Sequence, residues 1–391
     1  MSATLTERPT PPPAAAEAES PLARLTPEQL EALRREFDAI HDEVYADLGE
    51  RDARYIRATI KLHRQLVLGS RVLLLGSRRR PLWLLGTAAL SLAKILENME
   101  IGHNVMHGQW DWMNDPDINS QNWDWDTASP ADAWRHSHNY EHHTFSNIRG
   151  KDRDLGYEIM RIDPHQRWHP VYLFQPLYNL ILMGFFEWGV AMHDLNYDAI
   201  RAGEKSKAQA LQELKAIGVK ARRQVVKDYL AFPALTGALA GRGRRRGAFK
   251  STLAANFTAN IVRNLWAHSI IFCGHFPDQT YTFSEQEVAE ETRGGWYVRQ
   301  LLGAANIDGS PAFHFLSGNL SFQVEHHLFP DMPSSRYAEI APRVREVCRR
   351  YGLPYNTGPL HKQLGTVHRT ILRLAFPGGR ARPKPAPHGA A

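Results

Sequence analysis

Three short stretches of the chain contain closely spaced histidines. They are HNVMHGQ with His103 and His107, HSHNYEHH with His136, His138, His142 and His143, and QVEHH with Gln323, His326 and His327. Neutral imidazole is a good ligand for iron, zinc, copper and nickel. Four histidines within eight residues suit neither an apolar core nor a solvated helix face. The second stretch in particular therefore indicates a metal site.

Helical geometry limits which of these rings can share a metal ion. His103 and His107 are four residues apart, so both side chains leave one helix face. His138 and His142 share a face in the same way, whereas an α-helix directs His143 well away from them. That arrangement suits two neighbouring ions. Glu100 lies on nearly the same face as the first pair, which makes it a candidate acceptor that orients a ligand ring.

A polar stripe on a later apolar segment points to one more ligand. Its members recur every four residues, with the last seven residues further on: Asn256, Asn260, Asn264, His268 and His275. Polar side chains on an otherwise apolar helix are expected to face the interior of a bundle. The stripe leads to His275, directly before Phe276 and Pro277, where the helix must end.

Two pairs of apolar segments must position these side chains. They lie at about 65–101 and 229–275, and each pair is interrupted by an arginine-rich turn, SRRRP at 77–81 and GRGRRRG at 241–247. The run 82–101 is about one bilayer thick at ~1.5 Å per residue, although a buried helix of a soluble protein has a similar pattern. If both pairs are hairpins, the histidines share one side and the arginines lie on the other, against the usual positive-inside tendency.

The composition limits the classes of protein to which this chain can belong. The 391 residues are 43% hydrophobic, with a net charge of +6 and two cysteines, and the mean hydropathy is −0.42. Two cysteines exclude a disulfide framework and a thiolate metal site, and no nucleic-acid-binding motif is present. Thr26 and Pro27 begin an amphipathic helix predicted over 26–64. The Pro/Ala-rich ends, 1–25 and 377–391, are predicted to be disordered tails around one domain at 26–376.

The sequence resembles the membrane fatty acid desaturases, including bacterial enzymes that act on acyl-CoA or acyl lipids. HNVMHGQ, HNYEHHTFSN and SGNLSFQVEHHLFP are similar to the three histidine boxes of that family, with the third box in its QxxHH form. The resemblance covers roughly residues 60–350. It implies an all-α fold, an integral membrane bundle of about four transmembrane helices in two hairpins. A cytosolic helical cap would carry a diiron site on the cytoplasmic side.

The resemblance also implies which residues hold two iron ions that react with O2. The implied ligands are His103, His107, His138, His142, His143, His275, His326 and His327. His268 is a weaker alternative to His275, and Asn264 is a candidate to hold a bridging water. Gln323 departs from the usual histidine and is expected to act through hydrogen bonds or as a weak ligand. His136, His314 and Glu100 remain candidates for supporting contacts.

The implied reaction is O2-dependent insertion of a cis double bond into a fatty acyl chain carried on CoA, acyl carrier protein or a lipid. The sequence has neither a fused haem motif (HPGG) nor a CxxC. Electrons are therefore expected from an external donor such as ferredoxin, or a haem protein with its reductase. Membrane lipid is a further expected partner, and nucleic acid is not. A diiron hydroxylase is the main alternative. A zinc hydrolase and a non-catalytic receptor rank lower, since HExxH is absent.

Overall fold

The computed structural model describes residues 20–380 and residue 384 of the chain. The predicted disordered tails lie mostly outside these residues. The described part is mainly helical, as predicted, with a single pair of short strands among its elements.

The first third of the chain contains two long helices, a third that leads into the first histidine stretch, and a short fourth. They are α1 (Pro27–Ala46), α2 (Glu50–Leu75), α3 (Arg80–Leu96) and α4 (Asn104–Met106). The predicted cap of α1 is confirmed, because the Thr26 side chain accepts from the Gln29 amide and the Gln29 side chain accepts from the Thr26 amide. The predicted single helix over 26–64 is wrong. The chain breaks before α2, where Gly49 is extended and its amide donates to Asp52.

The middle of the chain contains shorter helices and one very long one. They are α5 (Ala131–Trp134), α6 (His143–Phe145), α7 (Gln175–Gly184), α8 (Phe186–His193), α9 (Tyr197–Ala202), α10 (Lys207–Val225), α11 (Phe232–Leu239) and α12 (Arg245–His275). Within the described residues, three π-helical segments interrupt the α-helical pattern, at Glu97–His103, Arg135–His142 and Val226–Ala231.

Helices α2 and α3 pack together as one hairpin, and α11 and α12 as another, with α12 against α3. The polar stripe of α12 lies inside the bundle: Asn256 donates to the Asp228 carbonyl (2.6 Å) and Asn264 to the Gly184 carbonyl (2.9 Å). Lys94 on α3 pairs with Asp228 at 2.8 Å, which explains why the apolar run becomes polar in its second half. Among the described residues, no helix combines the length and the apolar content required of a membrane span.

The last third of the chain forms a C-terminal cap whose elements contribute to two apolar cores, one of which is shared with the bundle. Its helices and strands are α13 (Arg293–Gly303), β1 (Asn306–Asp308), α14 (Pro311–Leu316), α15 (Gln323–Leu328), α16 (Tyr337–Arg350), β2 (Thr357–Pro359) and α17 (Leu360–Leu374). The two strands pair in parallel, with Asn306 opposite Thr357. Apolar side chains of α1, α13, α15 and α16 share one core, so the N-terminal helix helps to hold the third histidine stretch in place.

Candidate metal centre

Eight histidines from four separate parts of the chain meet in the interior. Ligand atoms of one group lie within 4.8 Å of one another, and so do those of a second group. The first group is His103, His107, His138 and His326, and the second is His142, His275 and His327. The His143 ring lies between the groups, with its centroid 4.7 Å from His107 and 4.6 Å from His327. Every histidine expected to be a ligand is therefore in one cluster.

The position of His143 differs from the α-helical expectation, because Arg135–His142 is π-helical. Hydrogen bonding from i to i+5 widens the turn, so residues five apart approach the same face. The ring centroids of His138 and His143 are 5.1 Å apart, the same separation as those of His138 and His142. His143 thus lies beside its neighbours and contacts both groups. A second π-helical segment, Glu97–His103, ends at His103 in the cluster.

His275 enters the cluster at the end of α12 and is held there by the third histidine stretch. Gln323 Nε2 lies 3.1 Å from His275 Nε2, so the amide donates to the ring, and Gln323 Oε1 is buried without a partner among the described residues. Gly274 leaves room for this contact, because a Cβ there would lie 2.8 Å from Gln323 Cγ. Gln323 is therefore adjacent to the second group and hydrogen-bonded to one of its members.

Four rings of the cluster form a hydrogen bond through the same nitrogen and leave the other nitrogen without a partner. In His138, His142, His326 and His327, Nδ1 is hydrogen-bonded while the buried Nε2 has no partner among the described residues. A buried polar atom without a partner costs about 1–3 kcal/mol, and such atoms converging on one point are the pattern left by metal ligands whose other nitrogen is oriented by an acceptor. The donor set of this cluster therefore fits nitrogen-ligated metal ions.

Two carboxylates orient rings of the second histidine stretch through their Nδ1 atoms. Asp152 accepts from His142 Nδ1 at 3.0 Å, and Asp154 accepts from His138 Nδ1 at 3.3 Å and from His193 Nε2 at 2.9 Å. Burial alone would lower the pKa of His142, but the two carboxylates outweigh it and raise that pKa to about 8. The carboxylates thereby increase the basicity of the ring nearest to them.

In most of the remaining rings the effect of burial dominates. It lowers the pKa of His103 to about 3 and holds the pKa values of His107, His143, His326 and His327 well below the ordinary range, with neighbouring histidines adding to the effect. Metal ligation requires neutral imidazole. The interior of the cluster therefore keeps these rings in the form that binds metal.

Other candidates from the sequence lie outside the two groups. His136 is exposed next to Glu141. His314 Nδ1 forms a hydrogen bond with Ser321 Oγ, and the His314 ring contacts the Phe322 ring. His268 pairs with Asn179 at 3.0 Å and stacks on Phe272. Glu100 is buried, but its carboxylate accepts from Tyr55, Asn319 and Ser334 rather than from a ring. Asn264 contacts the Gly184 carbonyl and lines the cavity described below.

Sequence reasoning missed several residues that contact the cluster, among them Gln300 and Tyr337. Gln300 Oε1 accepts from His327 Nδ1 at 2.9 Å while its Nε2 donates to the His143 carbonyl at 2.8 Å. The Tyr337 hydroxyl accepts from His326 Nδ1 at 3.2 Å. Neither residue lies in a histidine stretch, and only the tertiary fold brings α13 and α16 to the site. Asp152 and Asp154, by contrast, closely follow the second histidine stretch in the sequence, so they can be recognised there as candidate hydrogen-bond acceptors for its rings.

A cavity adjoins the first metal group. His103 and His138 form part of its wall, and aromatic and aliphatic side chains form much of the rest, including Trp125, Trp134, Tyr157, Phe186, Val190 and Ile271. Polar groups, among them Asn98, Glu187 and Asn264, also reach it. The cavity therefore lies next to candidate metal ligands and is lined by both apolar and polar side chains.

Comparisons with known proteins agree with this site. The family described as fatty acid desaturase matches residues 81–359. A Mycobacterium tuberculosis protein named NADPH-dependent stearoyl-CoA 9-desaturase is 49% identical over 355 residues, which cover 91% of this chain and 82% of the relative. The sn-1 linoleoyl-lipid 6-desaturase of Synechocystis is 24% identical over 290 residues, covering 72% and 77% of the two chains. No solved structure gives a significant match.

Proposed function

This chain belongs to the fatty acid desaturase family and desaturates fatty acyl chains as an oxidoreductase, and we propose that its substrate is a long-chain acyl-CoA such as stearoyl-CoA, desaturated at position 9. The relative that is 49% identical carries that activity in its name. Relatives named as desaturases also favour this reaction over hydroxylation. The observation that carries the proposal is the cluster of eight histidines, seven of which have a buried ring nitrogen with no partner among the described residues.

Two iron ions are the cofactor that this proposal requires. The eight histidines expected from the sequence would hold them, with one iron in each group and His143 between the groups. Eight imidazoles are too many for one tetrahedral zinc, and nitrogen ligands suit iron. When bound, the irons would supply the O2 activation and electron transfer needed to break unactivated C–H bonds. Asp152, Asp154, Gln300 and Tyr337 orient the rings through Nδ1.

The balanced reaction removes two hydrogens from a –CH2–CH2– unit. One O2, two electrons and two protons are consumed, and the products are a cis –CH=CH– unit and two waters. The apolar wall beside His103 and His138 would bind the acyl chain and exclude bulk water from the reacting carbons. The electrons would come from NADPH through a separate carrier, a ferredoxin or a haem protein with its reductase.

The proposed location is the membrane, with the active site on the cytoplasmic side and the two hairpins in contact with lipid. Support comes from large apolar side chains exposed on both hairpins, among them Leu68, Val72, Leu85, Leu239 and Phe257. Exposed apolar surface of this extent marks a binding or membrane surface. Extraction of expressed protein with carbonate and then with detergent tests this location, since release by carbonate alone would contradict it.

The function is tested by expression in a host with a simple fatty acid profile. Wild-type chain is expected to add an unsaturated acyl species whose double bond, located by mass spectrometry, lies at carbon 9. The His142→Ala variant should leave the host profile unchanged. An oxygenated product of higher mass would replace desaturase by hydroxylase, and identical profiles for both variants would overturn the catalytic proposal. Purified protein supplied with stearoyl-CoA or with stearoyl-acyl carrier protein then distinguishes the carriers.

A further inference from the structure

The turns that join the helices of the two hairpins are strongly basic. We refer to them together as the arginine end. Its members are all exposed: Arg78, Arg79, Arg80, Arg242, Arg244, Arg245, Arg246 and Lys250. They lie at the end of each hairpin that is remote from the histidines, because α3 and α12 both begin here and run toward the metal centre.

Hydrogen bonds hold the two basic turns side by side. Ser251 Oγ donates to the Ser77 carbonyl at 2.7 Å, and Ser77 Oγ lies 3.1 Å from Thr252 Oγ1. Trp83 Nε1 donates to the Ser251 carbonyl at 2.9 Å. A Cβ placed on Gly247 would lie 3.4 Å from the Arg78 guanidinium carbon. The cations of the two turns therefore form one surface.

No negative side chain balances this surface within the described residues. The sequence contains no Asp or Glu between Asp52 and Glu97, nor between Asp228 and Asp278. Within residues 20–380, none of the eight basic side chains makes an ion pair, in contrast to Arg71 and Lys94 deeper in the same bundle, which pair with Asp228. Concentrated like charge without internal compensation creates a field that attracts an anionic partner.

Apolar side chains next to the arginine end identify the kind of partner. Leu75, Leu84, Leu85, Leu235 and Leu239 are each 45–64% exposed on the adjoining turns of helix. A surface with cations at the end of exposed apolar helices matches a bilayer, in which phosphate groups lie next to the hydrocarbon region. An electron carrier is a poorer match, because a carrier bound at the arginine end would be far from the metal centre. At 1.5 Å per residue along α3 and its π-helical extension, His103 lies ~35 Å from the arginine end.

We propose that the arginine end binds the phosphate groups of anionic membrane lipids and so anchors the end of the bundle opposite the metal centre. The proposal rests on the membrane location given above and adds a lipid class to it. Each cation near an anionic membrane surface contributes ~1 kcal/mol, which corresponds to about fivefold in affinity. Eight cations acting together would give the chain a strong preference for anionic over zwitterionic lipid.

The test uses the full chain reconstituted in phosphatidylcholine vesicles that contain a minor fraction of phosphatidylglycerol. After extraction in a polymer disc, the headgroups retained with the protein are quantified by mass spectrometry. Wild type should retain phosphatidylglycerol several-fold enriched over the bulk ratio, and high salt during extraction should reduce the enrichment. The triple variant Arg78→Gln, Arg79→Gln, Arg80→Gln and the quadruple variant at Arg242, Arg244, Arg245 and Arg246 should each reduce the enrichment, and the two sets combined should bring it close to the bulk ratio.

Two matched controls separate charge from folding. The same positions changed to Lys keep the charge and should keep the enrichment. Neutralising three exposed cations on α10, with Lys215→Gln, Arg222→Gln and Arg223→Gln, should leave it unchanged. Headgroups at the bulk ratio for wild type, or equal enrichment in the triple and control variants, would overturn the lipid proposal. Protein that fails to float with these vesicles would instead overturn the membrane location.

Discussion

At the scale of single residues, the acceptors behind the rings decide how well the cluster is ordered. Gln300 is the most informative of them, because one side chain serves two histidine stretches: it accepts from His327 Nδ1 and donates to the His143 carbonyl. It is fully buried, and the neighbouring Arg299 also donates to a carbonyl of the same segment, that of Ser146. Gln300 is therefore a positioning residue, which would act on bound iron only through other side chains.

Replacing Gln300 separates its two roles. Gln300→Leu removes both hydrogen bonds and should weaken iron binding about 10- to 100-fold, the usual cost of losing a ligand's orienting partner. Gln300→Glu retains the acceptor for His327 but loses the donor to His143, so its loss should be smaller. Iron titration followed by the absorption of the bound metal measures both without relying on turnover. A control at the exposed Gln286, changed to Leu, should bind iron as wild type does, and equal affinity of all variants would contradict the role.

At the scale of elements, the resemblance to the desaturase histidine boxes predicted the members of the cluster, but not how their helices are wound. The π-helical segment Arg135–His142 moves His143 next to His138, and no pattern in the sequence distinguishes that winding from an α-helix. The cap at Thr26 and the polar stripe of α12 could be predicted because each depends on neighbours within one helix. Gln300 and Tyr337 could not, because their contacts arise only when α13 and α16 pack on the site.

The start of α2 and the segment after the third histidine stretch are joined by a buried ion pair. Arg336 donates to Asp52 through Nε at 2.6 Å and Nη2 at 2.8 Å, and the side chains are 3% and 2% exposed. Removing one partner leaves an uncompensated buried charge, so Arg336→Met should lower the free energy of unfolding by ~3–5 kcal/mol. Denaturant unfolding measures this loss.

Arg349→Met offers the matched control for this pair. Its guanidinium pairs with Glu346 on the surface at 71% exposure, so the same change there should cost no more than ~1 kcal/mol. The double variant Asp52→Leu, Arg336→Met should recover part of the stability, since neither charge is then left alone. Equal losses for Arg336→Met and Arg349→Met would show that the buried pair does not join these elements.

Helix α12 supplies one wall of the proposed acyl cavity through Ala267, which is 3% exposed. Ala267→Phe would place a ring in that space and should lower kcat/KM for stearoyl-CoA by at least ~10-fold, the low end of what one misfitting methylene costs in an apolar pocket. Bound iron should remain at the wild-type amount, because Ala267 is not among the histidine groups. Ala254→Phe, at an exposed position of the same helix, is the control, and unchanged kinetics in both variants would place the acyl chain elsewhere.

At the scale of the whole molecule, the metal centre joins four parts of the chain that also pack against one another outside it, for example α12 against α3 and α17. Its candidate ligands come from the end of the first hairpin, the second histidine stretch, the end of α12 and the C-terminal cap. Iron would bind the folded arrangement and not the unfolded chain, so each ion should stabilise the fold by ~2.7 kcal/mol when free iron is 100 times its Kd. Chelation is therefore expected to lower the Tm by several degrees, measured by thermal unfolding in detergent at fixed pH.

The double variant His142→Ala, His327→Ala removes two of the three ligands of the second group and should show a smaller decrease on chelation. If the chelator shifts the Tm of wild type and double variant equally, the stabilising ion is bound outside this cluster.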